Sequence, residues 1–294
     1  MKQDLGAIAV MQIINIHRRD ENVGDIMSAP TEYFNFPGFE IIQADVADAA
    51  KLDLNNRHVI LGGGGLFDEF FLQSIDQVKS RLNGGSLIAW GIGQQLDTGP
   101  WWQQFKSFPY EKFLRGFDLV GLRDFGFEFP WVPCVSCMHT TFDKHRDPCH
   151  EFVVYSHRSR PVPIEGWPTL RNDQASFDET IEFLASGKTI ITSSYHGMYW
   201  GMLLNRQVLA FPFNSKFLTL KYPITLYPSV WERTGSFIKV SRRIRGKESF
   251  SYSCKSVLGW RLLAAVARVF PNALEECREQ NRIYYRQVYD LLSS

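Results

Sequence analysis

The feature that most constrains this chain is a set of short apolar runs that end in glycine or in a charged turn. Residues 58–61 (HVIL) run into Gly62, Gly63, Gly64 and Gly65. Residues 87–90 (LIAW) run into Gly91-Ile92-Gly93, and residues 118–121 (DLVG) into Leu122-Arg123-Asp124. Such runs are too short for helices and suit strands buried on both faces. Between them, 68–82 and 101–115 carry apolar residues at helical spacing. Strands alternating with helices predict a parallel sheet whose ligands bind at the carboxyl ends of the strands.

A second series follows a stretch at 126–150 that is rich in Phe, Pro, Cys and His and has no period. Strands are expected at 152–156, 189–192 and 208–211, and helices at 177–186 and 196–204. The tail, 256–292, reads as one or two helices broken at Pro271. The fold expected is α/β, with two doubly wound Rossmann-like domains facing a cleft, over 1–150 and 151–294. A length of 294 residues agrees with two domains.

Charge sharpens this division. The chain has 32 Lys+Arg and 31 Asp+Glu, net +1, which argues against a nucleic-acid partner. Residues 1–147 hold 13 Lys+Arg against 19 Asp+Glu, net −6; residues 148–294 hold 19 against 12, net +7. Five cysteines and a start without a signal-like apolar run predict a cytoplasmic protein without disulfides. No run reaches the roughly 18 apolar residues of a membrane span. Residues 257–270, interrupted by Arg261 and Arg268, read as an amphipathic helix. Packing on the core is its ordinary use. Peripheral contact with the inner face of a membrane, with Trp260 and Arg261 at the interface, is the alternative.

Several motifs carry chemistry. Gly62 to Gly65 follow a strand and are expected to open a helix, where bare backbone can approach a ligand closely. They match neither a dinucleotide fingerprint nor a phosphate-binding P-loop. Gly91 and Gly93 repeat the device one strand later. Asn22 and Asp25 flank Gly24 in the first loop and either cap a helix or face sugar hydroxyls. Thr192-Ser193-Ser194-Tyr195-His196-Gly197 places hydroxyls, a histidine and a glycine where a strand turns into a helix, a setting suited to an anion. Lys216, after the next strand, could reach the same cleft. Cys134, Cys137, His139, His145, Cys149 and His150 form only a partial zinc pattern, and no metal is expected. The basic run 241–247 reads as a solvated loop or an anionic-lipid contact.

In this order the motifs resemble the polysaccharide pyruvyl transferase family over roughly residues 15–220. They are Asn22-x-Gly24-Asp25, GGGGLF, GIG, Arg123-Asp124, Ser-Tyr-His-Gly and PFNSKF. The segment Pro133-Cys134-x-Ser136-Cys137-Met138 is similar to the exopolysaccharide ketal-forming branch. The resemblance implies two domains arranged as in GT-B glycosyltransferases. It also implies transfer of a pyruvyl group from phosphoenolpyruvate, the co-substrate in place of a cofactor, to two hydroxyls of a saccharide acceptor that can be lipid-linked. It makes Arg123 and His196 catalytic. Ser193, Ser194, Gly197 and Lys216 would hold the donor. Gly63, Gly64, Gly65, Gly91, Gly93, Asn22 and Asp25 would line the acceptor side, with Asp68 a further sugar ligand. The family commonly has Arg two residues before the histidine; Ser194 stands there, so Lys216 or another cation would take its role. Two alternatives are a nucleotide-sugar glycosyltransferase, with Glu179 or Glu182 on the ribose, and a non-catalytic binding protein.

Overall fold

The computed structural model describes residues 11–19, 22–96, 108–239 and 247–294. The first sheet is built from β1 (Met11–His17), β2 (Phe39–Asp45), β3 (Arg57–Leu61), β4 (Gly64–Phe67), β5 (Leu87–Gln94) and β6 (Leu119–Leu122). Every pairing is parallel: β2, β1, β3 and β5 lie side by side, and β6 takes the far edge of β5. The helices of this half are α1 (Val23–Ile26), α2 (Glu69–Arg81) and α3 (Tyr110–Leu114). The helix expected at 101–115 is therefore seen only in its last part, residues 101–107 lying outside the described ones.

The second sheet comprises β7 (His150–Ser156), β8 (Thr169–Arg171), β9 (Gly187–Thr192), β10 (Gln207–Ala210) and β11 (Thr225–Leu226), again all parallel. Its helices are α4 (Phe177–Ala185) and α5 (Tyr195–Leu203). An antiparallel hairpin follows, β12 (Trp231–Lys239) with β13 (Lys247–Cys254). Two helices close the chain, α6 (Trp260–Ala265) and α7 (Ala273–Ser293), with Pro271 between them.

Strand alternation explains the layering. Ile14, Ile16, Val59, Leu61 and Ala89 point to one side of the first sheet, where they bury α2 through Ile75 and Val78. Ile13, Ile60, Ile88 and Trp90 point to the other, where α7 lays down Tyr284, Val288 and Leu292. The second sheet is covered in the same way, by α4 and α5 on one face and by α6 on the other. The fold is thus α/β, with two parallel sheets each covered on both faces, compatible with a two-domain Rossmann-like arrangement.

Helix α7 joins the halves. Its buried residues Ala273, Cys277, Asn281, Tyr284, Val288 and Leu292 form one stripe. The first two pack with the second sheet's core and the last three with the first sheet's. Trp90 Nε1 donates to Asn281 Oδ1 at 3.0 Å, and the Tyr284 hydroxyl donates to the Ala89 carbonyl at 2.6 Å.

One local expectation is corrected. Gly62 to Gly65 do not open a helix. The chain resumes as β4, which pairs in parallel with the later part of β5 through a register shift between Gly64 and Phe67, and α2 starts only after Asp68. Asp68 caps that helix by accepting from the Phe70 N–H at 3.0 Å.

Candidate active site

The carboxyl ends of both sheets meet, and the segments beyond them clasp each other. Leu96 N–H donates to Ser215 Oγ, and Ser215 N–H to the Leu96 carbonyl, both at 2.9 Å. Phe125 N–H donates to the Thr219 carbonyl at 2.9 Å. The loops after β1, β5 and β6 thereby face those after β9 and β10.

His196 sits in the first turn of α5 and is buried. Gly24, from the other half, lies directly against its ring; a Cβ at Gly24 would collide with Nδ1, Cγ and Cε1 of His196. Trp200 lies on one side with ring centroids 5.0 Å apart, Tyr195 edge-on at 5.5 Å. The Cys134 thiol is 3.7 Å from Nε2. Burial, reinforced by the positive charges of Lys216 and Arg123, holds the imidazole well below its ordinary pKa, so it is neutral at pH 7.

Arg123 and Asp124 are buried at the end of β6. The guanidinium stacks on the Tyr195 ring at 4.5 Å, and its Nη2 donates to the Gln94 carbonyl at 3.0 Å. Asp124 accepts from Gln94 N–H at 2.6 Å, from Thr219 Oγ1 at 2.6 Å and from the Tyr110 hydroxyl, and it lies 3.4 Å from Arg123 Nε. Gly93 makes room for this pair: a Cβ there would stand 2.6 Å from both Arg123 Nη2 and Asp124 Oδ1. Arg123 was expected from the sequence; Asp124, expected there only as its neighbour in the motif, is what anchors it.

Lys216 is half-buried, with its ammonium donating to Gln95 Oε1 at 3.0 Å. Gln95 in turn donates to Asp68 Oδ2 at 3.1 Å and covers Gly65. Burial lowers the Lys216 pKa to about 8, with Asp25 opposing and Arg123 and Arg160 adding to the shift. Lys216, His196 and Arg123 are therefore close enough to feel one another's charge.

The remaining candidates each have partners within the protein. Asn22 caps α1, accepting from Gly24 N–H at 3.2 Å, and its amide donates to Asp25 Oδ2 at 3.1 Å. Ser194 caps α5 through Gly197 N–H at 3.4 Å. The Ser193 hydroxyl donates to the Arg160 carbonyl and accepts from His157 N–H. Gly197 lets α5 press against Thr192 and Tyr155. The first two glycines of the loop give their N–H groups to the chain itself, Gly62 to the Ile16 carbonyl at 2.9 Å and Gly63 to Ser28 at 2.8 Å. At Gly62, φ is 154° and a Cβ would strike the Trp90 carbonyl. Gly64 packs near Ser28 Oγ, and Gly91 near the carbonyls of Val132 and Pro133. What approaches these glycines is thus neighbouring protein.

Among the described residues no group of three or more His, Cys, Asp or Glu is placed to hold a metal ion. All five cysteines are free thiols, and burial raises the Cys134 pKa. The carboxylates suggested for a ribose are occupied elsewhere: Glu179 closes a capping box with Ser176, and Glu182 pairs with Arg146 at 2.6 Å. Among the described residues no helix is long and apolar enough to cross a membrane.

Comparison with family models, with curated proteins and with solved structures finds no match to this chain.

Proposed function

We propose that the protein is a pyruvyltransferase with a GT-B-like arrangement of its two halves. It would move a pyruvyl group from phosphoenolpyruvate to two hydroxyls of a saccharide, forming a cyclic ketal and releasing phosphate. The observation that carries this reading is the convergence of Arg123 from one half with His196 and Lys216 from the other. A small donor with about three negative charges needs such a site. A nucleotide-sugar donor is less well served, because Glu179 and Glu182 are committed to other partners.

The neutral imidazole of His196 suits the first step. It takes the proton of one sugar hydroxyl as that oxygen bonds to C2 of the donor, and returns it to the vinyl carbon C3. The donor's charge, opposite to that of Lys216 and Arg123, raises the imidazole's basicity at that moment. The second hydroxyl then bonds to C2, the C2–O bond to phosphate breaks, and phosphate leaves with the second proton. Lys216 and Arg123 would hold the donor's phosphate and carboxylate.

Mass spectrometry of an oligosaccharide incubated with phosphoenolpyruvate and the protein should show the gain of one pyruvyl ketal. His196→Ala should slow phosphate release by about 10²–10⁴-fold. An unchanged rate would remove His196 from the reaction, and thermal stabilisation by nucleotide sugars but not by phosphoenolpyruvate would remove the reading itself.

The Lys216 pKa near 8 predicts a pH dependence. Below pH 8 the ammonium is charged and attracts the donor. Above it the charge is lost, and phosphoenolpyruvate affinity should fall by up to about tenfold per pH unit. Titration calorimetry from pH 6.5 to 9.5 reads this directly. In Lys216→Arg the loss should disappear, since arginine keeps its charge throughout.

A further inference from the structure

We propose that the outer face of the 257–269 segment is a docking surface for an anionic lipid bilayer. Leu258 is 90% exposed, Leu262 77%, Val266 65% and Val269 42%. Leu262 lies in α6 and the other three flank it, and their spacing of four, four and three residues makes an exposed row at nearly helical intervals. Trp260 and Leu263 point the other way, partly buried against the second sheet's core with Ala264, and the Trp260 ring meets Phe152 edge-on at 4.9 Å. The segment is therefore apolar on two faces, and the fold buries one. The residues at the free face are leucine and valine, while Trp260, a natural interfacial residue, is turned inward. Single exposed apolar residues are ordinary, but a continuous row marks a binding surface.

Charge decides what binds. Arg268 is exposed beside the row, whereas the Arg261 guanidinium lies over the rings of Trp260, Phe152 and Trp167 on the core-facing side. Val269 also lines a pocket of about 570 Å³ together with Lys188, Arg206 and Arg268. Arg206 is held by the carbonyls of Ala185 and Arg146, and Asp147 lies near it. Lys188 and Arg268 enter no ion pair among the described residues. A second copy of the chain is a poor occupant, because a two-fold contact would bring like charges toward each other across the interface. A bilayer with phosphate headgroups satisfies both parts of the surface: the row enters the interfacial layer and the cations meet phosphate. Lys188 and Gln207 stand at the amino ends of β9 and β10, whereas His196 follows the carboxyl end of β9. Docking would therefore leave the cleft open, and the inference holds whatever reaction the cleft performs.

The test is co-sedimentation of the full chain with vesicles of phosphatidylcholine alone or mixed with phosphatidylglycerol. Binding is expected to the mixed vesicles and to be much weaker to the neutral ones. Lys188→Gln with Arg268→Gln should lower the partition coefficient about 30-fold. Leu262→Gln with Val266→Gln should lower it by about tenfold or more. These side chains are exposed, so melting temperatures should not change. Failure of the protein to bind, equal binding to both vesicles, or variants that bind like the parent would overturn the proposal. So would a concentration-dependent dimer that the Leu262→Gln/Val266→Gln pair abolishes, which would assign the face to a second copy.

Discussion

Asp124→Asn is expected to cost about 3–5 kcal/mol of stability, because it leaves the buried Arg123 guanidinium without its carboxylate. The substitution is nearly isosteric, so lost volume contributes little. An amide also cannot accept with both atoms, and the donors on Asp124 come from Gln94, Tyr110 and Thr219. Thr219 lies in the second half of the chain, so the junction between halves should loosen along with the first sheet's edge. In a chain of this size the cost corresponds to a fall of about 10 °C in melting temperature. The discriminating experiment is the double variant Arg123→Met/Asp124→Asn. Removing the orphaned charge should restore part of the loss. If the double variant melts no higher than Asp124→Asn, the uncompensated charge is not the cause.

The second large effect is expected from Gly24→Ala. One methyl group there would overlap the imidazole of His196. The ring has little room to retreat, with Trp200, Tyr195 and Cys134 around it. Overpacking of this kind costs about 1–3 kcal/mol. A shift of the ring by about 1 Å would lower any activity that depends on it by roughly 100-fold. The contact can be measured apart from the activity. In Gly24→Ala/His196→Ala the space reappears, so the stability cost of the alanine at 24 should nearly vanish. Additive costs in that cycle would mean that the two residues do not touch.

The architecture was legible where the signal is local. The runs ending at Gly62, Gly91 and Arg123 mark β3, β5 and β6 because period and turn chemistry lie within a few residues. The cap at Asn22 and the helix after Ser194 were readable for the same reason. β8 and β11 are too short to show a pattern, and the sequence between β12 and β13 carries no Asn-Gly or Asp-Gly turn signature. At Gly62 to Gly65 the sequence announced a close approach but could not name the neighbours, which proved to be Trp90, Ser28 and Gln95. The contacts that assemble the candidate site were hidden for a different reason. Gly24 meets His196 across more than half of the chain, and Asp124 meets Thr219 across 95 residues; no spacing rule encodes such pairs. The adjacency of Asp124 to Arg123 at the end of a strand was the hint that the sequence offered for it.

Helix α7 has a consequence for biosynthesis. The strands of the first sheet are made well before the residues of α7 that pack on Ile13, Ile60, Ile88 and Trp90; Tyr284 follows its partner Ala89 by 195 residues. Until Tyr284, Val288 and Leu292 emerge, that face of the nascent sheet is covered only in part, by residues such as Phe36 and Val132. The first sheet is thus completed only after the second has been made, and during elongation it offers an apolar surface on which a chaperone could bind.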